Sequence, residues 1–479
     1  MSSRWRGGLI AGFALLIAVR LLIAWQLPIT DDEAYYWIWS QHLSWGYPDH
    51  PPMIALLIRI STAAFGDQPP SIRFGALTLT VATGAIVYAL GKDMFGPKIA
   101  VVAALTSQLL PMVATGGAVA VPDAPFIFFW MLTICLFWRA RSTGAAFYWY
   151  AAGAALGLTM MSKLFGVLLA LGLAGYVMAT PAERKWLARP HTYGAIVIAM
   201  AIVAPLTWWN FTQGWPSLAK IAHQDFWIRI GPWWYKTVAY AAAQFAYYGP
   251  VSAPLLFAAL RASVQRRQIE DWRFALLAWT ALPIFVLPFA LSPGGVPKPH
   301  WPAPAYLLAS IAAAALWLEH GRPLMRTVLV AAFGVNVLIV AIILMQPWIA
   351  PAAFDQLRGW EQVTAQAEAI AATLPPRPGV FIFSGGYQTA SQLTYRLRGR
   401  YPVTAGSTDT ALARIVPLRQ FIGWNAVYLD DDREPTRIPL DRMFRILEPL
   451  PRIKVNIDGR VPRRYVVFRG IDFRGHQRR

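Results

Sequence analysis

The chain carries a succession of apolar runs from Leu9 to Met345, each near the roughly 20 residues a helix needs to cross about 30 Å of hydrocarbon. No soluble fold can bury so many continuous apolar segments. The runs fall near 9–27, 72–90, 99–119, 124–138, 146–161, 164–179, 193–211, 236–259, 274–291, 302–318 and 327–345, which predicts about eleven transmembrane helices. Composition agrees, because only 14% of the 479 residues are charged, against about a quarter in an ordinary globular protein. The start, Arg4-Trp5-Arg6 followed by apolar residues to Leu27, lacks a small-residue cleavage site and reads as an uncleaved first helix.

After Gln346 the pattern changes. Residues 346–479 are rich in Arg and Asp and alternate helix-like with strand-like stretches. The expected architecture is therefore a polytopic α-helical membrane domain, 1–345, with a first outer loop at 28–71, and a small C-terminal α/β domain, 346–479. In the latter, Asp355 to Leu374 reads as helix, Val380–Ser384 as a buried strand, 389–398 as helix, Asn425–Leu429 as strand, and 452–468 as a hairpin around Asp458-Gly459. Gly385-Gly386 lacks a full phosphate-binding fingerprint and fits a plain strand-to-helix connection.

The net charge of +19 could point to nucleic acid. The Arg and Lys of the membrane part, however, lie in short loops and report orientation instead. With the N-terminus in the cytoplasm, that side holds Arg4, Arg6, Lys92, Lys98, Arg139, Arg141, Arg184, Lys185, Arg189, Arg261, Arg266, Arg267, Arg273, Arg322 and Arg326, and the opposite loops before Gln346 hold about seven cations. An odd helix count then places 346–479 outside the cytoplasm, with no nucleic-acid partner expected. The only cysteine, Cys135, lies in an apolar run, so neither a disulfide nor a thiolate metal site is available.

On this topology the unusual polar residues share the outer face. They are Asp31-Asp32-Glu33-Ala34-Tyr35-Tyr36 and Asp49-His50-Pro51-Pro52 in the first loop, then Asp123, Lys163, and Lys298-Pro299-His300-Trp301-Pro302. Charged groups at membrane depth are costly and are retained for a role. Consecutive Asp31, Asp32 and Glu33 point in different directions, so at most one or two can serve one site. Asp32 is the candidate base, able to take a proton from a hydroxyl; the bland alternative is a solvated turn or a helix N-cap. Asp123 stands between short apolar segments and reads as a site carboxylate, as the cap of a helix starting at Pro125, or as both together. Lys163, Lys298 and His300 could offer cations to a phosphate; for the lysines, snorkelling is the alternative. Trp208, Trp209, Trp215, Trp227, Trp233 and Trp234 fit either an interfacial belt or a groove for a prenyl chain or sugar. The Arg-rich end, Arg463-Arg464 through Arg478-Arg479, reads as a solvated tail that could meet anionic headgroups.

The order of these elements resembles the GT-C glycosyltransferases, namely Asp32-Glu33-Ala34-Tyr35-Tyr36, Asp49-His50-Pro51-Pro52, Pro122-Asp123-Ala124-Pro125 and Lys298-Pro299-His300-Trp301-Pro302-Ala303-Pro304-Ala305-Tyr306. It is most similar to the bacterial branch akin to protein O-mannosyltransferases and lipid A aminoarabinose or galacturonic acid transferases. Gly359-Trp360-Glu361 and Tyr387-Gln388-Thr389-Ala390-Ser391 extend the likeness into the tail. The resemblance implies an inverting enzyme that transfers a sugar from a polyprenyl phosphate to a lipid, lipopolysaccharide or protein acceptor. It also implies a multi-pass protein of the bacterial inner membrane with its C-terminal domain in the periplasm. It maps the family's two acidic positions onto Asp32 and Asp123 and its phosphate-contacting Lys onto Lys298, with His50, Lys163 and His300 beside it. Glu33, Tyr35, Tyr36, Asp49, Trp301, Tyr306 and Tyr387 become candidates for substrate contact. His50 stands where the aminoarabinose transferases have Lys, a departure that bears on donor identity. A divalent cation on Asp32 or Asp123 is compatible with the family, although no metal-ligand spacing supports it. The rival reading is a transporter or flippase of a polyprenyl-linked or amphipathic substrate, whose expected internal repeats and midplane polar cluster are missing; Arg20 is the one clear midhelix charge.

Overall fold

The computed structural model describes residues 3–222, 230–266, 271–319, 323–407, 409–433 and 438–475; Trp227, Arg267, Arg322, Arg478 and Arg479, singled out above, lie outside them. The chain divides into two compact units. One comprises Met1–Trp25, His50–Ile54 and Arg73–Leu344, the other Gln26–Asp49, Ala55–Ile72 and Met345–Arg479. Most of the segment 28–71, read from the sequence as a first outer loop, therefore groups with the C-terminal residues, and it forms helices Asp31–Gln41 and Met53–Phe65.

The first unit is helical. Five helices among the described residues are long and apolar enough to cross a membrane: Pro69–Phe95, Asp123–Thr143, Pro190–Thr212, Trp272–Leu291 and, within the last apolar helix, Arg326–Gln346; two bent pairs would raise the number to seven. Proline and glycine interrupt two of the apolar segments read above, whereas those at 146–161 and 302–318 form unbroken helices of 17 residues each. The run at 99–119 is split into Pro97–Gln108 and Pro111–Gly116, because Pro111 keeps its predecessor out of the helical region. The run at 236–259 is split into Trp233–Tyr248 and Ser252–Arg266, with Gly249 at φ 93° and Pro250 between them. The first break explains Arg20. Its guanidinium donates to Gln108 Oε1 at 2.7 Å and to the carbonyls of Gln108, Val113 and Ala114 at 3.3, 3.1 and 3.4 Å, acceptors gathered where the helix is broken.

Apolar packing runs through this unit, with Trp130, Ile134, Leu276, Leu307 and Ala312 fully enclosed. The outward faces are apolar too, with Val197 and Met200 63% and 67% exposed and Val330 71% exposed. That is the reverse of a water-facing surface.

The second unit holds five strands, β1 Val380–Ser384, β2 Val403–Ala405, β3 Asn425–Asp431, β4 Phe444–Ile457 and β5 Arg460–Phe473. Their order is β2-β1-β3-β5-β4, parallel where β1 meets β2 and β3 and antiparallel around β5. Asp458 and Gly459, at φ 51° and 78°, make the tight β4–β5 turn, whose twist matches that of the strands. The helix expected from Asp355 begins at Trp360 instead, since Gly359 has φ 78° and a Cβ there would lie 2.3 Å from Val455. Helix Tyr387–Leu397 packs across the parallel strands and against Asp31–Gln41.

Candidate active site

In the helical unit the polar residues converge on Asp123. It is the first residue of its helix but caps nothing. Its Oδ1 accepts a hydrogen bond from Lys163 Nζ at 2.8 Å, and its Oδ2 lies 3.8 Å from His300 Nε2. The Asp123 and Lys163 side chains are 12% and 6% exposed, so the lysine is a buried ion-pair partner and does not snorkel. The turn after Ser162 places it there, Lys163 being extended at φ −149° between two helical segments. His300 sits on the 292–302 connection, which is tied down where Tyr248 Oη donates to the Pro299 and His300 carbonyls at 3.4 and 3.3 Å. Trp301 packs edge-on to Phe165 at 4.8 Å, and Tyr306 stacks on Tyr248 at 3.7 Å. Beside Asp123 opens a shallow cleft lined by Thr80, Thr83, Met112, Val113, Gly117 and Ile127.

Electrostatics divides this cluster into two kinds of donor. Burial, reinforced by the ammonium groups of Lys163 and Lys298, holds His50 at about 3. Burial likewise holds His300 at about 4, against the pull of Asp123. Both imidazoles are therefore neutral near pH 7 and offer N–H groups, not the positive charge read from the sequence. Formal charge comes from Lys163 and from Lys298, which is exposed and makes no ion pair among the described residues.

In the second unit, the Asp31–Gln41 helix begins with a capping box. Thr30 is the N-cap, its Oγ1 accepting from Glu33 N at 3.2 Å, while Glu33 Oε2 accepts from Thr30 N at 3.0 Å. Asp32 is thus not the cap, and buried Glu33 secures the helix start. Asp32 Oδ1 instead accepts from Tyr387 Oη at 3.0 Å, and Asp31 Oδ1 from Gln392 Nε2 at 2.8 Å. Tyr35 Oη donates to Asp49 Oδ2 at 2.8 Å and accepts from Ala411 N at 2.7 Å. Tyr36 is buried with its ring 4.9 Å from Trp39. Sequence reading missed Gln392 and Asp67; the latter accepts from Trp37 Nε1 at 2.8 Å and pairs with Arg398 at 3.2 Å. No local signal marks either residue, since each acts on partners far along the chain.

No group of three or more His, Cys, Asp or Glu suited to a metal ion exists among the described residues. Asp123 already neutralises an ammonium, which would repel a second cation.

Residues 49–209 match the dolichyl-phosphate-mannose-protein mannosyltransferase family. The lipid A galacturonosyltransferase RgtD of Rhizobium johnstonii is 28% identical over 65% of this chain and 65% of its own length. The undecaprenyl phosphate-alpha-4-amino-4-deoxy-L-arabinose arabinosyl transferase of Edwardsiella ictaluri is 26% identical over 65% of this chain and 58% of its own. The chain thus spans less than two thirds of the length of either curated relative. The crystal structure of ArnT from Cupriavidus metallidurans bound to undecaprenyl phosphate superposes with a TM-score of 0.66 at 16% identity, covering 98% of each chain. In sequence over residues 49–209 this chain is similar to the dolichyl-phosphate-mannose-protein mannosyltransferases, and in fold over nearly its whole length to ArnT, in agreement with the resemblance read from its motifs.

Proposed function

We propose that this protein is an inverting glycosyltransferase that moves a sugar from a polyprenyl-phosphate donor to a lipid, lipopolysaccharide or protein acceptor. The observation that carries this reading is the buried Asp123–Lys163 pair with His300 beside it. An apolar helical unit keeps such charges only when they are paired and useful. Lys298, two neutral imidazoles and a lysine already held by a carboxylate suit the phosphate of a lipid-linked sugar. The likeness to a transferase bound to undecaprenyl phosphate and to a lipid A galacturonosyltransferase supports the same donor class and a lipid A acceptor.

The reaction is an in-line displacement at the anomeric carbon. The acceptor oxygen forms the new bond, the bond to the phosphate oxygen breaks with its electron pair, and polyprenyl phosphate departs. Cations and N–H donors at the phosphate stabilise the charge that grows there. Asp32, assigned by resemblance, takes the proton of a hydroxyl acceptor. Phosphate leaves readily once neutralised, so no second carboxylic acid of the glycosidase kind is required.

The setting that goes with this chemistry is the bacterial inner membrane, with about eleven spans, the N-terminus in the cytoplasm and residues 346–479 in the periplasm. A reporter active only in the cytoplasm, fused after Arg479, should stay silent; a signal would reverse the topology. For the activity, purified protein incubated with a polyprenyl-phosphate sugar and lipid A should yield lipid A heavier by one sugar residue in mass spectra. Movement of an intact solute across vesicles, with lipid A, glycolipids and envelope proteins unchanged in cells lacking the gene, would replace this reading with that of a transporter.

A further inference from the structure

We propose that Tyr387, on a helix of the C-terminal residues, is a positioning residue for the base Asp32, orienting its carboxylate and leaving one oxygen open to the acceptor's proton. The proposal rests on the glycosyltransferase reading above. Every contact it uses lies within one compact unit.

Asp32 is the second residue of the Asp31–Gln41 helix and is half-buried. Its Oδ1 accepts from Tyr387 Oη at 3.0 Å, and Oδ2 has no hydrogen-bond partner among the described residues. A carboxylate held at one oxygen loses the freedom to rotate about its terminal torsion, which is otherwise broad. The other oxygen then points in one direction.

Tyr387 is itself fixed. It opens the Tyr387–Leu397 helix directly after the Gly385-Gly386 turn, and its ring lies 4.6 Å from that of Tyr35. Tyr35 is immobilised at its hydroxyl, which donates to Asp49 at 2.8 Å and receives the Ala411 amide at 2.7 Å. Gln392, on the same helix as Tyr387, donates to the Ile29 carbonyl at 3.0 Å and to Asp31 at 2.8 Å. The two helices are thus joined by donors aimed at both adjacent carboxylates. Burial and the nearby Asp32 charge push the Tyr387 hydroxyl above its ordinary pKa, so it remains a donor throughout the working pH range. This differs from the substrate contact read from the sequence, because the hydroxyl is committed to Asp32.

The test uses the full chain in detergent with a polyprenyl-phosphate sugar and a hydroxyl acceptor. Tyr387→Phe keeps the ring and removes only the donor. Turnover should fall on the order of tenfold, with donor KM within about twofold and melting temperature unchanged. The acid limb of the pH–rate profile should move up by about one pH unit, since a donor to the charged form has been lost. A 3,5-difluorotyrosine at position 387, a stronger donor that preserves packing, should move the limb the opposite way. An unmoved limb in both variants overturns the proposal, as does a loss of turnover that follows loss of fold. A wild-type protein that transfers no sugar would instead defeat the function reading on which this rests.

Discussion

Replacing Lys163 with Met removes the ammonium from a buried ion pair while nearly preserving the volume of the stem. At 2.8 Å, the attraction between unit charges is about 6 kcal/mol at an effective dielectric of about 20. Bringing the two groups out of water opposes most of that gain. The cost of the substitution is dominated by what is left behind, an Asp123 carboxylate only 12% exposed with neutral His300 as its remaining neighbour. Truncating one partner of such a pair costs about 3–5 kcal/mol. Unfolding in mixed micelles with increasing denaturing detergent, followed by tryptophan fluorescence, should show that loss in Lys163→Met. The double variant with Asp123→Asn carries neither charge and should recover at least half of it, because a neutral pair has no unpaired ion to bury. A loss below about 1 kcal/mol, the range of an exposed pair, would refute the buried arrangement. A double variant less stable than the single one would refute the charge account.

Asp32→Asn keeps an acceptor for the Tyr387 hydroxyl but not the basicity; transfer to a hydroxyl acceptor, measured by mass spectrometry, should fall by about 10²–10⁴-fold with folding intact. Lys298→Ala should leave the melting temperature unchanged, since this side chain is exposed and unpaired among the described residues, but raise donor KM about tenfold; unchanged kinetics would remove it from phosphate binding. His50 and His300 are depressed to about 3 and about 4 in the fold, against about 6.5 when unfolded. Below pH 6.5 the unfolded chain binds more protons, so stability should decline as pH falls from about 6.5 to 4, by at most about 1.4 kcal/mol per pH unit for each histidine. The double variant His50→Gln with His300→Gln should flatten that slope in denaturation curves.

Much of the fold was legible because local chemistry decides it. Apolar runs of span length demand helices, since only a helix satisfies its own backbone in an apolar setting. Alternating residues around Asp458-Gly459 demand a hairpin, and the tight turn accepts the left-handed φ of 51° and 78° found there. The residues of the site were also visible as types, because a carboxylate or lysine among apolar segments is an expense that stands out. What each does was not. Asp123 read as a site carboxylate that could also cap its helix until Lys163, 40 positions away, took its oxygen. Asp32 read equally as a cap until Thr30 and Glu33 filled that role and Tyr387, 355 positions away, reached its carboxylate. Breaks before Pro111 and at Gly249 were likewise hidden inside runs of unbroken hydropathy, which measures transfer to lipid and not backbone geometry. Composition and periodicity act over a few neighbours and determine which segments become helices and strands. Hydrogen-bond partners and the charge state of a buried imidazole depend on groups that only tertiary packing brings within a few ångströms.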